Sequence, residues 1–104
     1  MSGNVDSLVP YKFIEKLKAL PFVDAIYLYG SRARGDHMER SDIDLAIVCP
    51  QARENEWSAV LDIIEQADTL LEIDCVRFDR ITDSKFASRI ASQKVVLFER
   101  KTHA

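Results

Sequence analysis

A chain of 104 residues is one domain by size, and its 47% hydrophobic content can fill a single modest core while leaving little area for a deep pocket of its own. A formal net charge of −3 argues against direct nucleic-acid binding, because a groove that tracks phosphates needs clustered Lys and Arg. No apolar stretch reaches the roughly 20 residues of a membrane span, "MSGNVDSLVPYKF" lacks the regions of a signal peptide, and Cys49 and Cys75 sit inside apolar runs rather than in a C-x-x-C pair, so the expectation is a cytoplasmic protein with two buried, reduced thiols.

The elements follow in chain order, with no internal repeat, low-complexity tract or linker. Pro10 suits the first turn of a helix; Phe13, Ile14 and Leu17 recur at helical spacing, and Pro21 marks the end. "DAIYLYG", 24–30, reads as a strand closed by glycine. "DIDLAIVC", 42–49, reads as a second strand stopped by Pro50. The stretch 54–71 reads as an amphipathic helix with a buried stripe of Trp57, Val60, Leu61, Ile64 and Ala67 or Asp68. Its acidic side, Glu54, Glu56, Asp62 and Glu65, reads as a solvated face rather than a site. "EIDCVRFD", 72–79, is a third strand. Thr82 or Asp83 can cap a helix through "SKFASRIASQ", and "VVLFER", 95–100, is a last short strand. His37 and His103 have no spaced partner and read as surface residues. The order predicts an α+β fold, one sheet covered mainly on one face by helices.

Strand directions decide where the polar residues meet. About a dozen residues join the first two strands, too few for a full crossover helix, so an antiparallel pair is expected. The second and third strands flank the long helix, and a right-handed crossover makes them parallel. Gly30 and Ser31 then lie beside the start of the second strand. Asp42 and Asp44 open that strand on one face, because side chains alternate with period two, and Asp74 lies near the start of the third. If the second and third strands are neighbours, all five residues converge on one sheet edge.

Three carboxylates at one edge need a counter-charge. Two unit charges about 4 Å apart repel by roughly 4 kcal/mol at an effective dielectric of 20. Divalent cations with oxygen ligands relieve this; Mg²⁺ is commonly held by one or two carboxylates plus substrate phosphates, and two ions can clamp the attacking and leaving oxygens of a nucleotidyl transfer. Gly30 admits a phosphate close to the backbone. Ser31 offers a hydroxyl and an N–H at the start of a helix, and Arg32 and Arg34 add positive charge for a triphosphate. Taken singly, Gly-Ser is a turn, Asp-x-Asp caps or solvates a strand, and the arginines are surface residues. Jointly, G-S-x(10)-D-x-D is expected by chance on the order of once per thousand chains of this length. The pattern describes a metal-dependent site for a nucleoside triphosphate.

Gly30-Ser31, ten residues, then Asp42-Ile43-Asp44 resembles the signature of the DNA polymerase beta-like nucleotidyltransferase superfamily. "GSRARGD…SDIDLAI" in so short a chain is similar to the minimal nucleotidyltransferases, the MNT family, over about residues 10 to 100. The resemblance implies a nucleotidyltransferase fold with a mixed sheet of about four strands, forming a single domain over 1–104. It implies that Gly30 and Ser31 bind the phosphates, with Arg32 expected beside them from its charge. It implies that Asp42 and Asp44 ligate metal, and that Asp74 is the third carboxylate, ligating metal and activating the attacking hydroxyl. Mg²⁺, as two ions, and ATP as substrate come with it. Relatives often carry glycine before the last strand; here Gln93-Lys94 stands there, a departure expected to lie far from the site. The partner implied is a small helical HEPN protein, often an RNase toxin, for which the minimal transferase is the antitoxin by moving AMP from ATP to a tyrosine. Two alternatives stay open: an antitoxin that neutralises by binding alone, and a small-molecule nucleotidyltransferase whose acceptor pocket lies on a separate subunit. An acceptor-binding surface would show exposed aromatics near the site. Tyr27, Tyr29, Trp57 and Phe86 are the candidates, although each suits the core better than an interface.

Overall fold

The computed structural model describes residues 11–35 and 42–100. The expected helix start at Pro10 and the positions of His37 and His103 lie outside them. Helix α1 spans Lys12–Lys18 and buries Phe13, Ile14 and Leu17, the three residues at helical spacing. Strand β1, Ala25–Tyr29, is buried along its whole length. One turn of helix, α2, Ser31–Arg34, follows it and ends at Gly35 in the left-handed conformation. Strand β2, Ile43–Val48, leads into α3, Glu54–Glu65, then β3, Ile73–Arg77, and a short 3-10 turn, Phe78–Arg80. Helix α4, Ser84–Gln93, starts at Asp83, whose carboxylate accepts from the N–H groups of Lys85 and Phe86, and β4, Val95–Glu99, closes the chain of elements.

The sheet order is β3-β2-β1-β4. β1 pairs antiparallel with β2 and with β4, and β2 pairs parallel with β3, as the connection lengths require. Period-two alternation sorts the side chains onto two faces. Ile26, Leu28, Ile43, Leu45 and Ile47 face α1 and α3 and form the larger core with Val23, Val60 and Cys49. Ala25, Tyr27, Tyr29 and Ala46 face the other way and are covered by Ile90 and Phe86 of α4. Of the three longer helices among the described residues, two share one face and the third lies on the other.

Helix α3 stops six residues short of the expected 54–71. Gln66 leaves the helical region at φ −99°, ψ 16°, and Asp68 serves another helix: its carboxylate accepts from the N–H of Lys12 (3.0 Å) and of Phe13 (3.3 Å) at the start of α1. The buried stripe is Val60 with Trp57, Ile63, Ile64 and Ala67 against it. Leu61, expected in that stripe, is exposed. Tyr27 and Tyr29 are 8% exposed and belong to the core, so neither offers the open aromatic surface considered for them; Trp57 and Phe86 are half-buried. The two cysteines are free thiols. No helix among the described residues is long and apolar enough to cross a membrane.

At one end of the sheet a polar lock ties β2, α3 and β3 together. Asp79 Oδ1 accepts from the Cys49 N–H (2.8 Å) and its Oδ2 from Arg77 Nε (3.1 Å); the same guanidinium donates to the carbonyls of Cys49 and Ala52. The site lies at the opposite end.

Candidate active site

Asp44 is where both ladders meet. In register it stands opposite Tyr29 across the antiparallel pair and beside Asp74 across the parallel pair. Period-two alternation puts Asp42, exposed at the mouth of β2, on the same face. At the end of β1, Gly30 turns the chain into α2 with φ 78°, ψ −156°, a conformation essentially confined to glycine. A Cβ at this position would collide with Asp44 Oδ2, so the close approach of backbone and carboxylate requires glycine for a second reason.

Around this edge opens a cavity of about 420 Å³, lined by Tyr29, Gly30, Ser31, Arg34, Asp44, Asp74, Phe86, Arg89 and Gln93. The expected residues Gly30, Ser31, Asp44 and Asp74 are therefore together on its wall. Asp42 stands at its margin, near enough for its charge to act on Asp44. Arg32 is placed differently. It is 4% exposed, packed inside, while Arg34, two residues further, reaches the cavity. Gln93 was expected far from the site and lies on its wall instead. The connection explains this: β4 begins opposite Leu28, so the last turn of α4 must come down beside the end of β1. Phe86, Arg89 and Gln93 were not singled out from the sequence as site residues. Their spacing of three and four is one helix face, but only the packing of α4 on the sheet shows that this face looks into the site.

The electrostatics are those of crowded negative charge. Burial, then the charges of Asp74 and Asp42, push the Asp44 carboxyl above the usual carboxylate range, and Arg34 partly offsets them. Burial, then the charges of Asp44 and Asp74, push the Tyr29 hydroxyl up to about 12, so it stays protonated and serves as a donor rather than a base. Among the described residues no three His, Cys, Asp or Glu groups could hold a metal ion by themselves. The donor set nonetheless suits a hard cation: oxygen ligands only, like-charged and partly desolvated, with room for phosphate oxygens to complete the shell. Mg²⁺ would be held by Asp44 and Asp74 with Asp42 at the margin.

The sequence matches the family described as "Polymerase beta, Nucleotidyltransferase" over residues 11–103. The chain belongs to that family and is a nucleotidyltransferase. Its fold is similar to that of a toxin–antitoxin complex solved with AMP-PNP (TM-score 0.65, 21% identity, 86% of this chain and 73% of that one). It is similar also to an MNT antitoxin in complex with a tri-AMPylated HEPN toxin of Shewanella oneidensis (TM-score 0.58, 18% identity, 92% and 70%). A MntA–HepT toxin–antitoxin complex is a third neighbour (TM-score 0.57, 18% identity, 92% and 70%). No curated protein matches the sequence at a significant level.

Proposed function

We propose that this nucleotidyltransferase moves AMP from ATP to a hydroxyl of a partner protein, a tyrosine of a helical HEPN-type toxin, and so acts as its antitoxin, with Mg²⁺ as cofactor. The observation that carries the reading is the pairing, in one cavity at one sheet edge, of the Gly30-Ser31 turn with the carboxylates Asp44 and Asp74. Neighbours of the same fold include a complex with an ATP analogue and one with an AMPylated toxin, which supports the choice of donor and acceptor.

In this reading Ser31 and Arg34 bind and orient the triphosphate, and Gly30 lets its oxygens approach the main chain. Mg²⁺, when bound, supplies charge neutralisation for the phosphates and the carboxylates. Asp74, the more exposed of the two wall carboxylates, faces the open side from which an acceptor arrives and takes the proton of the attacking hydroxyl. The acceptor oxygen forms its bond to the α-phosphorus as the bond to the bridging oxygen breaks, and pyrophosphate leaves. Tyr29, held protonated, donates into the same space.

The test is incubation with ATP, Mg²⁺ and the cognate helical partner, read by intact mass. The expected result is a gain of one or more AMP units on a partner tyrosine, with loss of the partner's toxicity. Neutralisation by binding alone predicts a stable complex, no mass change, and full antitoxin activity in an Asp42→Asn/Asp44→Asn double variant. Wild-type neutralisation by that variant would overturn the catalytic role.

A further inference from the structure

Arg89 and Gln93 are one turn apart on α4 and both line the cavity. Neither belongs to the Gly-Ser and Asp-x-Asp motif, and both lie far from it in sequence. The guanidinium of Arg89 has no hydrogen-bond, ion-pair or ring partner among the described residues. Neither has the Gln93 carboxamide, although Gln93 is half-buried. The charge of Arg89 is therefore available to a ligand. The topology says which part of the ligand lies there. Val95, two residues after Gln93, pairs with Leu28, two residues before Gly30, so the C-terminal turn of α4 stands on the Gly30-Ser31 side of the cavity.

Charge bookkeeping gives the chemistry. A triphosphate brings several negative charges into a cavity that already holds Asp44 and Asp74. Divalent cations held by the carboxylates would neutralise part of that charge, and the rest calls for protein cations. Among the described residues lining the cavity, Arg34 and Arg89 are the cations. An arginine on a helix offers a fixed fork to phosphate oxygens, and a neighbouring carboxamide adds a neutral donor.

We infer that Arg89, assisted by Gln93, forms a second phosphate-binding wall beside Gly30-Ser31, and that it grips the pyrophosphate portion of the nucleoside triphosphate. This rests on the donor reading proposed above and deepens it: the chain selects triphosphates over mono- and diphosphates from α4. During transfer the same contacts hold the leaving pyrophosphate.

Calorimetric titration with ATP, AMP and inorganic pyrophosphate, each with Mg²⁺, tests it on wild type, Arg89→Ala, Arg89→Lys and Gln93→Ala. Arg89→Ala is expected to lose roughly tenfold to a hundredfold in affinity for ATP and for pyrophosphate, the range for a hydrogen bond to a charged group, and to leave AMP binding unchanged. Arg89→Lys should recover part of the loss, and Gln93→Ala should lose severalfold. Arg89 is exposed and has no side-chain partner among the described residues, so melting temperatures should match wild type and exclude a folding defect. Unchanged binding of ATP and pyrophosphate in Arg89→Ala overturns the inference and leaves the donor reading intact. An equal loss for AMP also overturns it, placing Arg89 on the nucleoside. Failure of wild type to bind ATP or pyrophosphate overturns both.

Discussion

Gly30 carries two constraints at one atom, a glycine-only backbone conformation and contact with the Asp44 carboxylate. Gly30→Ala is expected to cost about 1–3 kcal/mol of stability in chemical denaturation, the range for a residue forced into such a region. It should also displace Asp44, so that transfer falls further than the stability loss explains. Asp44 itself makes the opposite trade. Its folded-state carboxyl is raised by burial and by Asp74 and Asp42, so its ionisation opposes folding. Stability from the protonated form is complete below the ordinary carboxylate range and is lost as pH rises through the raised value. Asp44→Asn should therefore melt higher than wild type at neutral pH without metal, and the difference should vanish on acidification below that range. Mg²⁺ with ATP should raise the wild-type melting temperature more than ATP with chelator, and should do so weakly in the variant. Transfer by Asp44→Asn should fall on the order of a hundredfold or more. Cys49 is buried as the sequence suggested, whereas Cys75 is only half-buried: burial foremost, then Asp79 beside Cys49, pushes the first thiol up to about 11, and burial with the neighbouring charges of Cys49 and Asp74 takes Cys75 to about 12. Thiol reagents should leave both unlabelled in native protein at neutral pH and find two free thiols after denaturation; fast native labelling would contradict the burial.

At the scale of elements, the polar lock around Asp79 holds β2, α3 and β3 in place at the end remote from the cavity. Arg77 and Asp79 are largely buried, so Asp79→Ala leaves a charge uncompensated and should cost roughly 3 kcal/mol or more by denaturant titration. Activity should fall only as the folded fraction falls. What was legible in the sequence sorts along the same line. Strands β1 and β2 announce themselves as apolar runs ended by Gly30 and Pro50, and their short connection dictates the antiparallel pair. The carboxylate cluster follows from period two and the right-handed crossover. The end of α3 was not legible, because Ile63, Ile64 and Ala67 continue a helical pattern while Asp68 is drawn away to the first turn of α1, a contact across 56 residues. Arg32 against Arg34 was equally hidden: both are arginines in a short loop, and only the single turn of α2 decides which is packed and which faces the cavity.

Across the whole molecule, the cavity is assembled from four separate stretches: 29–34, Asp44, Asp74, and the face of α4. The motif marks two of them. The α4 wall is invisible locally because it depends on β4 returning beside β1 and folding α4 over the smaller core. That return is secured by Arg100, whose guanidinium donates to the carbonyls of Leu20 and Val23 behind α1.

The register at Asp44 also behaves as a reading frame. A one-residue insertion between Ile43 and Asp44 turns the carboxylate to the opposite face, into the larger apolar core, and exchanges the facing of every later side chain in the strand. A two-residue change restores the facing but carries the carboxylate about 7 Å along the strand, away from Asp74 and Gly30. Descent by length change is therefore closed to this strand while substitution remains open, and divergent members of the lineage should keep its residue spacing after most of its residue identities are gone.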